Sequence, residues 1–240
     1  MDCRVTVVEG DAPILLVAPH GFDDPYTAEI TEEMASVLDC YAVINWGWER
    51  DDTVDFLNDK ANCNNIKHCH EDVVKDEFLD PIFKYINRIE TSYDEVNVFT
   101  IHGMSNLVKK QSGIKNLDMI IGYGAGGSSS CPAWKRKAFL YVLHKSGFFP
   151  CKGKAGGRFA GAGKNNLNQL YRKWYNDKTV DSMQIEIIRE LRQDVQMAKE
   201  TAQDLAGIID EYLTFLDADG LPKSYDTQWE EIVKKEIPSF

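Results

Sequence analysis

Two short segments, far apart in the chain, each consist of an apolar run that ends in a His-Gly pair. They are residues 15–21, LLVAPHG, and residues 96–103, VNVFTIHG. Near-continuous apolar runs of this length are typical of strands buried on both faces of a sheet. Ligands of open α/β proteins bind at the carboxyl ends of such strands. The pattern therefore predicts that His20 and His102 meet at one edge of a sheet, where imidazoles serve as metal ligands or as titrating groups.

Segments with strand character alternate along the chain with segments of helical periodicity. Strands are predicted at 5–8, 14–18, 41–45, 96–101, 119–122 and 182–188 and helices at 24–38, 72–89, 132–144, 164–175 and 189–216. Such alternation is typical of βαβ units. We expect one α/β domain over residues 1–240, with three layers: a mixed, mostly parallel central sheet and helices on both of its faces. Pro81 is expected to interrupt the second helix.

Composition narrows the class of partner. The formal net charge is −11, which disfavours general binding to nucleic acid or to an anionic membrane. The chain has no membrane-length apolar run and no charged-then-apolar start of the kind that marks a signal peptide. Its six cysteines are scattered, and we interpret them as reduced thiols of a cytoplasmic protein.

The segment after His20 supplies acids for a metal site. Catalytic zinc is held by three protein ligands, usually His nitrogens and a carboxylate oxygen, and keeps a position for water. His20, His102 and one acid of the pair Asp23 and Asp24 form such a set. Asp23 gives a His-x-x-Asp spacing and Asp24 stands one residue further. Asp24 before Pro25 also has the pattern of a helix N-cap, a role compatible with binding a metal.

Glu186 is the predicted catalytic base. Strand alternation places it on the face opposite Met183, Ile185 and Ile187. A carboxylate on a central strand is costly to bury unless it has a partner or a chemical role. Beside a zinc-bound water it would act first as general base and then as the acid that protonates the leaving group. The alternative is an ion pair with Arg189 or Lys164.

Arginines in or near glycine-rich segments are candidates for substrate binding. Arg158 lies between Gly157 and Phe159, and Arg suits bidentate binding of a carboxylate. Arg50 and Arg172 are lesser candidates. The glycine-rich segment 123–130 lacks the phosphate-loop and dinucleotide patterns and is expected to form a wall of the substrate pocket. The full set of expected substrate-binding residues is Arg158, Arg50, Ser130, Asn165 and Arg172.

Four segments, taken in order, resemble the N-formylglutamate amidohydrolase family. They are 18–21 (APHG), 100–104 (TIHGM), 121–124 (IGYG) with Ser-Cys at 130–131, and 184–187 (QIEI). The resemblance extends over residues 14 to 192. That family is similar in fold to the zinc carboxypeptidases and to phage-type poly-γ-glutamate hydrolases, so the resemblance implies a zinc-carboxypeptidase-like (phosphorylase/hydrolase-like) fold.

The resemblance also implies an activity. It implies a zinc-dependent hydrolase of an amide bond next to a carboxylate, such as an N-formyl or N-acyl glutamate, with His20 and His102 as zinc ligands and Glu186 as the catalytic carboxylate. In the carboxypeptidase pattern the remaining ligand is a Glu three residues after the first His and three before a Thr. Here Asp24 stands three residues before Thr27 but four after His20. Register thus favours Asp24 and spacing favours Asp23.

Two other functions fit the same segments. One is a γ-glutamyl or C-terminal peptidase that uses the same site. The other is a non-catalytic binding protein that has lost its metal, which the replacement of Glu by Asp favours. The expected partner is a small molecule or short peptide that carries a carboxylate, with no nucleic acid and no membrane; the sequence indicates no oligomeric state.

Overall fold

The core of the protein is one seven-stranded sheet. A computed structural model describes residues 4–21, 23–46, 63–69, 74–124, 126–154, 156–174, 179–217 and 227–240. The strand order in the sheet is β1-β3-β2-β4-β7-β5-β6. The strands are β1 Val5–Val8, β2 Ala12–Ala18, β3 Cys40–Asn45, β4 Val96–Met104, β5 Met119–Gly122, β6 Pro150–Lys152 and β7 Val180–Ile188.

The centre of the sheet is parallel and its flanks introduce the antiparallel pairs. Strands β3, β2, β4 and β7 run in one direction. Strand β1 is antiparallel to β3, and β5 is antiparallel to β7. Strand β6 is parallel to β5. The prediction of a mixed, mostly parallel sheet is therefore confirmed.

Helices cover both faces of the sheet. In chain order they are α1 Thr27–Leu38, α2 Ile66–Cys69, α3 Asp80–Ser92, α4 Leu107–Ser112, α5 Ala133–Lys145, α6 Leu167–Trp174, α7 Val195–Asp217 and α8 Thr227–Lys235. On one face Met34 of α1, Phe139 of α5 and Tyr212 of α7 pack against Phe99 of β4 and other apolar side chains of the strands. The apolar side chains of α3 and α6 pack on the opposite face. The three predicted layers are confirmed.

Alternation along the strands decides which face each side chain meets. On β7, Met183, Ile185 and Ile187 belong to the core under α5 and α7. Gln184 and Glu186 point to the other face, as the sequence pattern predicts. These two polar side chains are buried on the side of the sheet that α6 covers, whereas Asp181 of the same strand bonds Lys135 of α5 on the other side.

Helix boundaries differ from the prediction by one to several residues, and two of these differences lie near the site. The first helix begins at Thr27 and not at Asp24-Pro25, because Tyr26 adopts a left-handed conformation with φ of 70°. The predicted Asp24 N-cap is therefore wrong, and its side chain is available for another role. The helix after Glu186 begins at Val195, since residues Arg189–Arg192 form a separate 3₁₀ turn.

The interruption expected at Pro81 takes the form of a change of helix type. A π-helical turn, Lys75–Leu79, precedes α3, and Pro81 lies in the first turn of α3. The first turn of a helix tolerates proline because its N–H groups lack helical partners. Within the described ranges, no helix has the length and apolar character needed to cross a bilayer.

Candidate metal centre

Neighbouring parallel strands bring the two predicted histidines together. Val17 of β2 pairs with Thr100 of β4, so His20, just after β2, and His102, near the end of β4, lie at the same edge of the sheet. The imidazole rings of His20 and His102 have their centroids 5.1 Å apart and are nearly perpendicular, at 73°. The prediction that both imidazoles meet at one sheet edge is confirmed.

A single helical turn adds Asp24 to the pair. The Asp24 N–H donates to the His20 carbonyl at 2.8 Å, which closes an i to i+4 turn and places both side chains on one side of it. Asp24 Oδ2 lies 3.6 Å from His20 Nδ1 and 3.7 Å from His102 Nδ1. One ligand atom from each of the three residues lies within 4.8 Å of the others. Asp23 is not part of this group.

The Asp24 side chain and backbone are both held. The N–H of Gly103 donates to Asp24 Oδ2 at 3.0 Å. The Asp24 carbonyl accepts the N–H of Thr27 at 3.1 Å and its hydroxyl at 2.7 Å. The backbone of Asp24 is thus bonded to the first residue of α1, and its carboxylate is held facing the two histidines.

The end of β3 holds the loop that carries His20. The Asn45 amide donates to the Pro19 carbonyl at 3.0 Å, and the Gly21 N–H donates to the Asn45 carbonyl at 2.9 Å. A Cβ on Gly21 would lie 2.5 Å from that carbonyl oxygen, so this close approach requires glycine. The buried Asn45 was not predicted, since a residue that acts through backbone carbonyls leaves no motif.

The donor set fits a divalent metal. Two ligands of one tetrahedral zinc are separated by about 3.3 Å, from bonds of about 2.0–2.1 Å. The observed separations of 3.6 and 3.7 Å approach that value and exceed the usual N–H···O hydrogen bond. His102 Nε2 is buried and has no hydrogen-bond partner among the described residues. The Nδ1 atom of the same imidazole faces Asp24 Oδ2, so the ring is placed to serve as a metal ligand beside this carboxylate.

The protonation states suit a metal as well. Burial lowers the pKa of His102, which favours the neutral imidazole that binds metals. Burial alone would raise the pKa of the Asp24 carboxyl, but the adjacent His102 and His20 imidazoles hold that pKa well below its ordinary value. The centre therefore presents two imidazoles and an ionised carboxylate.

Glu186 lies on the strand next to His102. The two residues are paired in the β4–β7 register, and Glu186 is only 7% exposed. Gln184 Nε2 donates to Glu186 Oε1 and to the Phe159 carbonyl, both at 3.0 Å. Burial, together with the negative charge of Asp24, raises the pKa of Glu186 well above its ordinary value, although Arg158 and Arg192 act in the opposite direction.

The residues predicted to bind substrate are scattered. Arg158 is exposed in the loop before α6, with its charge within reach of Glu186. Asn165 precedes α6, and its carbonyl accepts the N–H of Ile66 at 2.8 Å. Arg172 is half-buried on α6. Arg50 lies outside the described residues.

Ser130 lies away from this centre. Its hydroxyl donates to the Ser182 carbonyl at 2.8 Å. Ser182 precedes Glu186 on β7 by four positions, which corresponds to about 13 Å along a strand. The structure does not bring Ser130 to the metal centre, because β5 runs antiparallel to β7 and delivers the loop that follows it to the other end of the sheet.

Comparisons with known proteins support the fold assignment. No family model matches the chain, and no curated protein matches its sequence. Solved structures do match its fold. One is the product of gene Atu2144 of Agrobacterium tumefaciens, with a TM-score of 0.61 and 13% identity over 90% of this chain and 95% of that one.

Two further structures carry descriptive names. A bacteriophage poly-γ-glutamate hydrolase gives a TM-score of 0.54 and 13% identity over 90% of this chain and 92% of that one. The N-formylglutamate amidohydrolase of Ralstonia eutropha JMP134 gives a TM-score of 0.53 and 12% identity over 88% of this chain and 98% of that one. At these identities the likeness shows the fold alone, and it confirms the hydrolase-like α/β fold expected from the resemblance.

Proposed function

We propose that this protein is a zinc-dependent amidohydrolase that cleaves an amide bond of a small carboxylate-bearing substrate, such as an N-formyl or N-acyl glutamate. The observation that carries the proposal is the convergence of His20, Asp24 and His102, with the buried carboxyl of Glu186 on the adjacent strand. Such a constellation combines three metal ligands with one proton-transfer group.

The likeness to the two named hydrolases agrees with this function. Both have a TM-score above 0.5 and are covered over more than nine tenths of their length. One is named for hydrolysis of N-formylglutamate and the other for hydrolysis of poly-γ-glutamate. Both of these named substrates contain an amide bond of glutamate. We propose that the chain is a divergent relative of the N-formylglutamate amidohydrolases.

The three ligands and Glu186 have separate roles. His20, Asp24 and His102 would hold the metal ion, and the Gly103 N–H fixes the Asp24 carboxylate. When bound, zinc supplies a Lewis acid that makes water more acidic and polarises an amide carbonyl. Glu186 accepts the proton of the attacking water and then delivers it to the leaving nitrogen. Burial raises its pKa, which favours the protonated carboxyl that delivers the proton to the leaving nitrogen.

Arg158 is the proposed contact for the substrate carboxylate. Arg158 is exposed, and its positive charge acts on the Glu186 carboxyl by lowering the pKa of that group. Arg158 therefore lies between Glu186 and solvent. Gln184 links the two because it bonds both Glu186 and the Phe159 carbonyl next to Arg158. A carboxylate bound at Arg158 would therefore hold a neighbouring amide bond close to Glu186.

A γ-glutamyl peptidase on the same site is the second candidate. The observation that favours it is the match to the poly-γ-glutamate hydrolase, which covers 92% of that chain. The catalytic residues would be unchanged, and the two candidates differ only in what is attached to the glutamyl group.

A substrate screen on zinc-loaded protein tests both candidates. Formyl- and acyl-amino acids would be compared with γ-linked glutamyl peptides, in wild type and in Glu186→Gln. Loss of general acid–base catalysis is expected to lower kcat by about 10²–10⁴-fold. Glu190→Gln is the matched control, because Glu190 is exposed in the next turn and pairs with Lys109. Equal rates in wild type and Glu186→Gln would refute the mechanism.

A further inference from the structure

A buried arginine lies behind the metal centre. Arg192, at the end of the 3₁₀ turn that follows β7, is only 3% exposed. Its guanidinium donates to three backbone carbonyls: Nη1 to Pro25 at 2.7 Å, Nη2 to Met104 at 3.1 Å and Nε to Ile187 at 3.1 Å. Each of the three guanidinium nitrogens thus donates to a carbonyl from a different segment of the chain.

The three acceptors are close in sequence to residues of the centre. The Pro25 carbonyl directly follows Asp24, and the Ile187 carbonyl directly follows Glu186. The Met104 carbonyl is two residues after His102. One guanidinium therefore joins the backbones that carry two metal ligands and the proton-transfer group, although these residues are distant in the sequence.

Gly103 makes room for this arrangement. A Cβ on Gly103 would lie 2.3 Å from both Arg192 Cζ and Nη2, a distance that atoms not bonded to each other do not reach. The N–H of Gly103 donates to the Asp24 carboxylate at 3.0 Å. The guanidinium therefore fills the space that a side chain at position 103 would need, and the Gly103 N–H bonds a proposed metal ligand.

Fixed geometry is what such a residue contributes. Arginine presents its donors in a rigid planar fork, so three bonds define a single arrangement of the three backbones, which a flexible lysine ammonium cannot do. Metal affinity depends on groups that orient the ligands, and loss of one typically costs about 10–100-fold in affinity.

We propose that Arg192 is a positioning residue, whose bonds to the carbonyls of Pro25, Met104 and Ile187 set the placement of Asp24, His102 and Glu186 relative to one another. The proposal rests on the proposed function of the site as a metal centre. It goes beyond that function in assigning an effect on metal affinity to a residue that is not one of the proposed ligands.

The test is the zinc affinity of purified variants, measured by competition with a chromophoric chelator. Arg192→Met, and Arg192→Lys, which keeps the charge but not the fork, are each expected to bind zinc at least about 10-fold more weakly than wild type. Cobalt-loaded variants should show altered d–d absorption, which reports ligand geometry.

Lys135→Met is the matched control. Lys135 is also a buried cation, 5% exposed and bonded to Asp181 at 2.6 Å, but Asp181 lies five positions before Glu186 on β7. Its loss should lower thermal stability and leave zinc affinity within about 2-fold. Zinc affinity unchanged in Arg192→Met, or lowered equally in Lys135→Met, would overturn the proposal.

Gly103→Ala gives an independent variant should Arg192→Met fail to fold. Its added methyl must displace the guanidinium, so zinc affinity and the cobalt spectrum are expected to change as in Arg192→Lys. If both Gly103→Ala and Arg192→Lys kept wild-type affinity and spectrum, the proposal would be wrong. Wild-type protein that binds no zinc would instead refute the metal centre itself, so the two failures are distinguishable.

Discussion

At the scale of single residues, the Asp24 carboxylate is the group that joins the centre together. One of its oxygens faces both imidazoles and also accepts the Gly103 N–H. The side chain is shorter than that of glutamate, but the Asp24 N–H bonds the His20 carbonyl, and the carboxylate lies 3.6 Å from the His20 imidazole. The Asp at this position is therefore compatible with a working metal site.

Asp24 and Asp23 should differ sharply in their contribution to metal binding. Asp24→Asn keeps the shape of the side chain but removes its charge, and it is expected to weaken zinc binding by more than the roughly 10–100-fold typical of groups that only orient ligands. Asp23→Asn should change zinc affinity by less than about 2-fold. Competition with a chelator measures the zinc affinity of both variants. A larger loss of affinity in Asp23→Asn than in Asp24→Asn would show that Asp23, and not Asp24, is the ligand.

Glu186 is expected to lower the stability of the metal-free protein at neutral pH. Its pKa in the folded state is raised above the ordinary value of 4.5, so its contribution to stability is greatest below that pH and is lost as pH rises through the folded-state pKa. Glu186→Gln does not titrate. At pH 7–8 the free energy of unfolding of metal-free Glu186→Gln should therefore exceed that of wild type by an amount on the order of 0.5–2 kcal/mol. Its melting temperature should be higher accordingly.

The pH dependence supplies the control for this prediction. The advantage of Glu186→Gln should shrink as pH falls toward 5, because wild-type Glu186 is then protonated in the folded protein. Thermal melts of both proteins across this range measure it. A difference that stays constant with pH would show that burial of the carboxylate is not its cause.

The sequence predicted some of these residues and not others for physical reasons. His20, His102 and Glu186 could be found because each ends or interrupts an apolar strand. The choice of Asp24 over Asp23 could not be made, since it depends on the hydrogen bond from the Asp24 N–H to the His20 carbonyl, which no sequence pattern encodes. Arg192 left no signal, because it acts on backbone carbonyls, which every residue carries.

At the scale of secondary-structure elements, the loop between β6 and α6 is fixed against β5 and β7. The Phe159 carbonyl of this loop accepts the Gln184 amide at 3.0 Å. A Cβ on Gly122 of β5 would lie 2.2 Å from that carbonyl oxygen and 2.6 Å from Gln184 Cγ. The absence of a side chain at Gly122 therefore lets the loop that carries Arg158 approach the strand that carries Glu186.

Gly122→Ala should displace this loop. The added methyl is expected to cost about 1–3 kcal/mol of folding stability, as overpacked sites do, and to lower kcat/KM because Gln184 and Arg158 shift together. Gly163→Ala in the same loop is the control, since nothing lies within 4 Å of its Cβ position. Thermal melts and steady-state kinetics measure both, and equal behaviour of the two variants would contradict the argument.

Element boundaries were the least predictable part of the fold. The Asp24-Pro25 pair has the pattern of a helix start, yet the helix begins at Thr27 because the carboxylate turns toward Gly103 and the histidines. A tertiary contact thus prevails over a local preference. Pro81, in contrast, was predictable as a point of interruption, since proline has no N–H to donate.

At the scale of the whole molecule, the strand order creates the centre. Strands β2, β4 and β7 are adjacent and parallel, so residues distant in the chain leave the sheet at one edge. Alternation of strands and helices was enough to predict this parallel core. It could not predict that β5 runs antiparallel to β7, since strand direction depends on how each connection crosses the sheet; for that reason Ser130 was expected at the centre and lies elsewhere.

The most direct test of the account is the metal content of the purified protein, measured by elemental analysis after equilibration with zinc and removal of the excess. The account predicts about one zinc per chain in wild type, and loss of that zinc in both His20→Ala and His102→Ala. Zinc should also raise the melting temperature of wild type alone, because a ligand that binds only the folded state stabilises it. Wild-type protein without zinc, or zinc retained in both variants, would contradict the proposed centre.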